Sequence, residues 1–408
     1  MMRIRMRRAV AAMLPLLILS GCWDSRELTE RAIWVATGWD AGENGKIRVS
    51  GQIIVPARIQ TNVGGAPQGG SGGGAGGRGE DESAQKGYFS IVKEGNSIGE
   101  ALQRMQSEIS REIFFGHRRV ILVGEEFARK GLRNKFDLDV RSPRMSIRTD
   151  IFVVRGGTAE DGLNVQSVLE PISATAIIKN HRQIGGRGDS AYLDFLIAAN
   201  SDGIRPTMPA VEIHRPDYAF GHKKLRMAGL AIFDADLKLR GFLNVDEDRD
   251  YLWITGNLTK QTVSMVKNGG GVSMNLVHLR SRIVPEIAGG NKMRFKVKLR
   301  ANAQLQENNS GISTANRTDL KKLEREFERL LERRLLATIR KVQRKYGIDI
   351  FGFGEAVRRR KPQRWNALKK DWDRRFAEAE ISVSVDLFIQ QEGLSEFPAI
   401  YRKGGQSS

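Results

Sequence analysis

Cysteine is almost absent: the 408 residues contain one, Cys22. No internal disulfide can form, so core packing has to stabilise the fold unaided. Histidine is scarce too. The five, His117, His181, His214, His222 and His278, lack the H-E-x-x-H or comparable spacing that sets two metal ligands on one helix face. There is no G-x-x-x-x-G-K-S/T loop to cradle a nucleotide's phosphates. The apolar run from Ala9 to Leu19 falls short of the roughly 20 residues that cross a bilayer. These absences exclude zinc hydrolases and P-loop enzymes. The expectation is a chain without catalytic residues, metal ligands or a cofactor site.

What is present starts with Leu19-Ser20-Gly21-Cys22, which reads as a lipobox. Arg3, Arg5, Arg7 and Arg8 precede the apolar run, so residues 1–21 have the charged and apolar regions of an export signal. Small residues at Ser20 and Gly21 let a peptidase cut between Gly21 and Cys22. Cys22 would then carry a diacylglyceryl group as the first residue of the mature chain. One acyl chain holds a protein marginally and two hold it stably, at roughly 0.8 kcal/mol per buried CH₂. A soluble ectodomain tied to a membrane surface is expected. The competing reading is ordinary cleavage and free secretion, which a mature N-terminus other than Cys22, or one without lipid, would establish. Lipidation would also use the one thiol and exclude cysteine catalysis.

The formal net charge is +19 and falls to about +15 once the four leader arginines are removed. So basic a surface attracts anions. Export argues against nucleic acid, and the nearest anion is the bilayer, where each Lys or Arg close to an anionic surface contributes about 1 kcal/mol. Solvated helix faces that only keep the protein soluble would give the same composition.

Along the chain, strands are predicted at Ala32–Gly38, Lys46–Pro56, Tyr88–Lys93, His117–Gly124 and Thr149–Arg155. Helical stretches are predicted at Glu125–Lys130, closed by Gly131, around Leu132–Val140, and at Ala159–Asn164 and Ala191–Ala199. Residues 64–79 are nearly all Gly with Ala, Ser, Gln and Pro, a loop composition, and the Glu80-Asp81-Glu82 that follows would repel phosphate. Ile204-Arg205-Pro206 marks a boundary. Beyond it, Met227–Phe233 and Leu237–Leu243 flank the turn Asp234-Ala235-Asp236 as a hairpin, and Asp246–Gly256 is a short helix or turn that turns Tyr251 and Trp253 inward. Met293, Phe295, Val297, Leu299, Ala301, Ala303 and Leu305 alternate with polar residues, as in a strand wet on one face. Leu320, Leu323, Phe327, Leu331, Leu335, Ile339 and Val342 give a long amphipathic helix over Asp319–Tyr346, with Thr318 as a possible cap and Gly347 as its end. Ile381 to Ile389 alternates again as the closing strand.

Three short patterns admit two readings each. Gly95-Asn96-Ser97-Ile98-Gly99 matches the nucleophile elbow of serine hydrolases. Ser97 followed three residues later by Glu100 is equally a helix capping box, and the chain shows no repeated β-α-β alternation to carry a hydrolase triad. Arg187-Gly188-Asp189-Ser190 matches an adhesion tetrapeptide, but Ser190 also caps the helix after it. Trp365 and Trp372, seven apart in a basic stretch, suit either a membrane-interface face or a core.

Three blocks together resemble a known family. They are Gly21-Cys22-Trp23-Asp24 with Arg26-Glu27-Leu28; Phe115-Gly116-His117-Arg118-Arg119-Val120-Ile121-Leu122 with Ala128 to Leu132; and Tyr346-Gly347-Ile348-Asp349-Ile350-Phe351-Gly352-Phe353-Gly354 leading to Pro362, Trp365 and Trp372. The chain is similar in them to the Ger(x)C family, the C-subunit lipoproteins of endospore nutrient germinant receptors. The run Arg358 to Lys361 is more basic than that pattern. The resemblance implies a non-enzymatic subunit on the outer face of the spore's inner membrane, docked on integral-membrane A and B subunits. It implies an α+β fold of three domains with mostly antiparallel sheets packed against helices. On this reading residues 22–204 form an N-terminal domain, 205–261 a middle domain and 262–400 a C-terminal domain with the long helix, and 401–408 a tail. A solute-binding lipoprotein of a nutrient transporter is the alternative. It shares the signal but needs two lobes of parallel β-α-β units around a cleft.

Overall fold

The computed structural model describes residues 30–54, 88–167, 170, 172–186, 191–215, 223–286, 293–312 and 316–390. The lipobox, the Gly-rich run, Arg187 to Ser190 and the tail lie outside these residues. The architecture is α+β, two mixed sheets packed with helices.

The first sheet is built from β1 (Arg31–Ala41), β2 (Ile47–Ile54), β3 (Tyr88–Gly95), β4 (Glu112–Phe114), β5 (Val120–Gly124), β6 (Asp150–Arg155), β7 (Thr207–His214), β8 (Lys224–Phe233) and β9 (Leu239–Leu243). Among the described residues its order is β3-β2-β1-β5-β6-β7-β8-β9, with β4 paired to β1. The sheet thus takes strands from both sides of the Ile204-Arg205-Pro206 segment. Helices α1 (Ile98–Gln106), α2 (Glu125–Lys130), α3 (Asp137–Arg141), α4 (Ala159–Asn164), α5 (Ser173–Gln183) and α6 (Ala191–Ala199) connect the strands. One face packs Met105, Phe127, Tyr192 and Phe195 from α1, α2 and α6, and the other packs Leu163, Ile177 and Ile178 from α4 and α5. Gly51 of β2 has no side chain because the Trp34 indole lies where its Cβ would stand.

The wings of this sheet are antiparallel, but β1, β5, β6 and β7 run parallel at its centre. Sequence reasoning found no β-α-β alternation, and the structure contains it. The reason is physical: β5 and the first five residues of β6 are buried on both faces, so they read as continuous apolar runs without a period of two. The crossover helices α2 and α4 are also too short to show helical periodicity.

The second sheet has the order β10 (Lys260–Lys267), β11 (Gly270–Glu286), β12 (Arg294–Asn308) and β13 (Glu380–Gln390). It is antiparallel except for β12 and β13. The expected alternation holds, with Phe295, Val297, Leu299, Ala301 and Ala303 buried and Arg294, Lys298 and Arg300 exposed. The buried side carries α7 (Val245–Ile254) and the long α8 (Arg317–Lys345), followed by α9 (Phe353–Arg360), α10 (Pro362–Leu368) and α11 (Trp372–Glu378). Asn316, not Thr318, caps α8, its side chain accepting the Thr318 N–H, and Gly347 ends it at φ +64°. Leu230, Ile232 and Leu243 of β8 and β9 belong to the same apolar core, so the two sheets share an interface.

One edge of β13 pairs with β12, and α8 closes the other. Glu324, Glu328 and Glu332, one helical turn apart, accept the backbone N–H groups of Ile389, Leu387 and Val385 at 2.9–3.0 Å. Four helical residues rise about 6 Å and two strand residues about 6.6 Å, so the rows stay in step. An edge strand that could otherwise template aggregation is thereby covered.

Asp248 in α7 is buried, and its Oδ1 has no hydrogen-bond partner among the described residues. Burial pushes its carboxyl up from 3.8 to about 7, with Arg249 opposing. The folded chain therefore holds this proton more tightly than the unfolded one. The stabilisation is complete below about pH 4 and disappears as pH rises through about 7, a span of about 4 kcal/mol. Asp248→Asn is expected to flatten that decline and to raise the urea midpoint at about pH 8. An unchanged pH profile would contradict this.

Candidate functional site

Of the residues singled out from sequence, Gly21 and Cys22 fall outside the described region. Ser97 falls within it and caps α1: its Oγ accepts the Glu100 N–H at 3.1 Å, and the Asn96 N–H donates to Glu100 Oε2 at 2.8 Å. That is the helix-cap reading of the G-x-S-x-G pattern. Ser97→Ala is expected to lose about 1 kcal/mol in urea unfolding, with ester hydrolysis no different from the parent protein.

His222 lies outside the described residues, and the structure does not bring the other four histidines together. His117 packs edge-on to Phe114, and His181 packs edge-on to Phe152. Burial pushes His181 down to about 4, so it is neutral. His214 ends β7, and His278 sits at the β11 bulge at φ +52°. No group of three or more His, Cys, Asp or Glu among the described residues could hold a metal ion. Trp365 and Trp372 are both buried and meet edge-to-face at 5.1 Å, which makes them core residues and not an interfacial face.

The two family-like blocks inside the described region both build buried polar clusters. In the first, the Arg118 guanidinium grips Asp139 with two bonds of 3.0 Å, and the Tyr192 hydroxyl donates to the same carboxylate at 3.1 Å. Arg118 and Asp139 are only 2 % exposed. Burial, with the Asp139 charge, pushes the Tyr192 phenol far above its usual value. No local pattern in the sequence links Arg118 to Asp139, 21 residues away.

The second cluster forms at the seam between the sheets. The chain turns after α8 through Gly347 and Gly352, both at positive φ, and buries Asp349 among apolar neighbours. Asp349 Oδ1 accepts the N–H groups of Phe351 and Gly352 at 3.0 Å, and Oδ2 accepts Gly354 N–H at 2.8 Å and Trp372 Nε1–H at 3.0 Å. Burial raises this carboxyl to about 6 against the pull of those donors, so it is ionised at neutral pH. Arg205 N–H donates to the Asp349 carbonyl at 2.7 Å, and Glu355 N–H donates to the Gly203 carbonyl at 3.2 Å. A Cβ on Gly354 would stand 2.5 Å from that carbonyl. The motif therefore orders its own loop and clamps the segment before β7. A lone Asp in the apolar run Ile348 to Phe353 was the available sequence signal.

Beside the seam lies a cleft of about 810 Å³, open to solvent and bounded by α6, the 200–205 segment, β11 and α9. Its walls mix Asp194, Asp202 and Glu355 with Arg282, Arg358, Arg359 and Arg360. In the cleft wall Ser201 Oγ donates to Glu355 Oε1 at 2.5 Å and accepts the Gly203 N–H at 3.1 Å, which ties the 200–205 segment to α9. No described helix is long and apolar enough to cross a membrane.

Comparison with known proteins bears on these same blocks. A spore germination protein N-terminal domain model matches residues 24–213, and a spore germination B3/GerAC-like C-terminal model matches residues 228–393. Spore germination protein KC of Bacillus subtilis is 28 % identical over 96 % of each chain, and putative spore germination protein YfkR of the same organism is 28 % identical over 93 % of this chain and 96 % of that one. Spore germination protein B3, also of Bacillus subtilis, is 21 % identical over 92 % of this chain and 94 % of its own. The crystal structure of the GerBC protein superimposes with a TM-score of 0.54 at 19 % identity, covering 86 % of this chain and 96 % of that one, which establishes the shared fold. With both halves matched in order, the chain belongs to the Ger(x)C family of spore germination proteins.

Proposed function

We propose that this chain is the lipid-anchored C subunit of a spore nutrient germinant receptor, needed for nutrient-triggered germination. A diacylglyceryl group on Cys22 holds it on the outer face of the inner membrane. It docks on integral-membrane A and B subunits and does no chemistry itself. The observation that carries this reading is the family match across both halves of the chain, and the lipobox supports it.

The test is deletion of the gene followed by complementation. Germination on the nutrient served by this receptor is expected to fall in the deletion strain, to return with the parent chain, and to return far less with Cys22→Ala. Normal germination on every nutrient, in a deletion strain without paralogous receptors, would remove the assignment.

The cleft and the parallel strands of the first sheet favour a second reading, a solute-binding lipoprotein. Titration of the isolated chain with amino acids and sugars separates the two. The receptor reading expects no saturable binding without the partner subunits, and tight binding would favour solute capture.

A further inference from the structure

The outward face of α8 carries a ridge of cations that the rest of the fold leaves uncompensated. Arg325, Arg329, Arg333, Arg340 and Arg344 are all exposed and make no ion pair or hydrogen bond among the described residues. At 100° and 1.5 Å per residue they share about 100° of arc and extend about 29 Å along the axis. Their steps of four residues set like charges next to each other, which destabilises an isolated helix by a few tenths of a kcal/mol per pair. Carboxylates at the same spacing exist on this helix, but Glu324, Glu328 and Glu332 are turned onto the backbone of β13. Glu326 pairs with Lys267, and Asp319 with Lys322. The covering of the edge strand is thus what leaves the arginines without local partners.

We propose that this ridge lies along an anionic lipid bilayer, so that α8 orients the tethered protein on the membrane. A protein partner would be expected to find a buried apolar or aromatic centre, where binding energy concentrates. None of the exposed large apolar side chains is on α8. A long one-sided ridge of guanidiniums suits a flat array of phosphates, each cation near an anionic surface adding attraction that salt screens. The proposal rests on the reading that the chain works at a bilayer, and it adds which face meets the lipid.

The test uses the mature chain from residue 22 with Cys22→Ser, so that no lipid contributes. Sedimentation is measured with vesicles of about 30 % phosphatidylglycerol in phosphatidylcholine, and with phosphatidylcholine alone, at about 0.1 M salt. The parent is expected to bind the anionic vesicles only. The fourfold variant Arg325→Gln, Arg329→Gln, Arg333→Gln, Arg340→Gln is expected to lose on the order of several hundred-fold in partition. A control removes the same charge from the outer face of the second sheet, as Arg280→Gln, Arg282→Gln, Lys296→Gln, Lys298→Gln, and is expected to lose less than about threefold. Equal losses would reduce the effect to net charge and overturn the ridge, as would a parent that binds neither vesicle. Either failure, with Cys22-dependent complementation intact, would sink the ridge and leave the receptor reading standing.

Discussion

Replacing Asp349 by alanine is expected to cost about 4 kcal/mol of stability, because four buried donors lose their acceptor at once. The N–H groups of Phe351, Gly352 and Gly354 and the Trp372 indole all point at that carboxylate. Each orphaned donor costs about 1–3 kcal/mol, less where water enters the space. Asp349→Asn keeps one oxygen for two of the donors but presents an NH₂ to the others, so it is expected to cost about half as much. Urea midpoints and Trp372 fluorescence in the two variants test this, with the ranking Ala worse than Asn. The loop also holds Gly203 and Arg205 against α9, so the damage should reach the seam, and proteolysis near residues 200–206 should speed up. Equal and small losses would mean that the carboxylate does not organise the loop.

Arg118→Ala is expected to cost about 3–5 kcal/mol, since it strands a buried carboxylate. Asp139 would keep the Tyr192 hydroxyl but lose both guanidinium bonds. Breaking a buried pair is worse than removing it, because the Coulomb gain of the pair roughly offsets its desolvation. The double variant Arg118→Met, Asp139→Leu should therefore recover most of the loss. Chemical denaturation of the single and double variants gives the answer. A double variant as unstable as the single would show that α3 and the turn before β5 depend on the charge pair itself.

How much of this was legible in the sequence depends on whether a pattern repeats locally. The alternation from Met293 to Leu305 and the spacing from Leu320 to Val342 were enough to place β12 and α8, because each element buries one face. The helix Ser173–Gln183 and the strand Thr207–His214 gave weaker signals and were missed. That strand carries Pro209, which removes a ladder donor, and it pairs with β6 only from Ala210 onward. The parallel centre of the first sheet was hidden because β5 and most of β6 are apolar on both faces. Arg118 and Asp349 stand in the family-like blocks, yet their burial is unreadable from the sequence. One depends on Asp139 and Tyr192 from other elements, and the other on a turn that folds its own N–H groups inward. Glu324, Glu328 and Glu332 would pass for solvated helix charges, since only the tertiary fold sets β13 beside them.

The family-like blocks within the described region thus stabilise the scaffold. The proposed function accordingly depends on Cys22 more than on any other single residue. Mass spectrometry of the N-terminal peptide of the native protein, taken from the inner-membrane fraction of spores, measures that directly. The account predicts a peptide that begins at Cys22 and carries the mass of a diacylglyceryl group. A mature chain that begins elsewhere, or an unmodified Cys22 in protein recovered from the aqueous fraction, would contradict it.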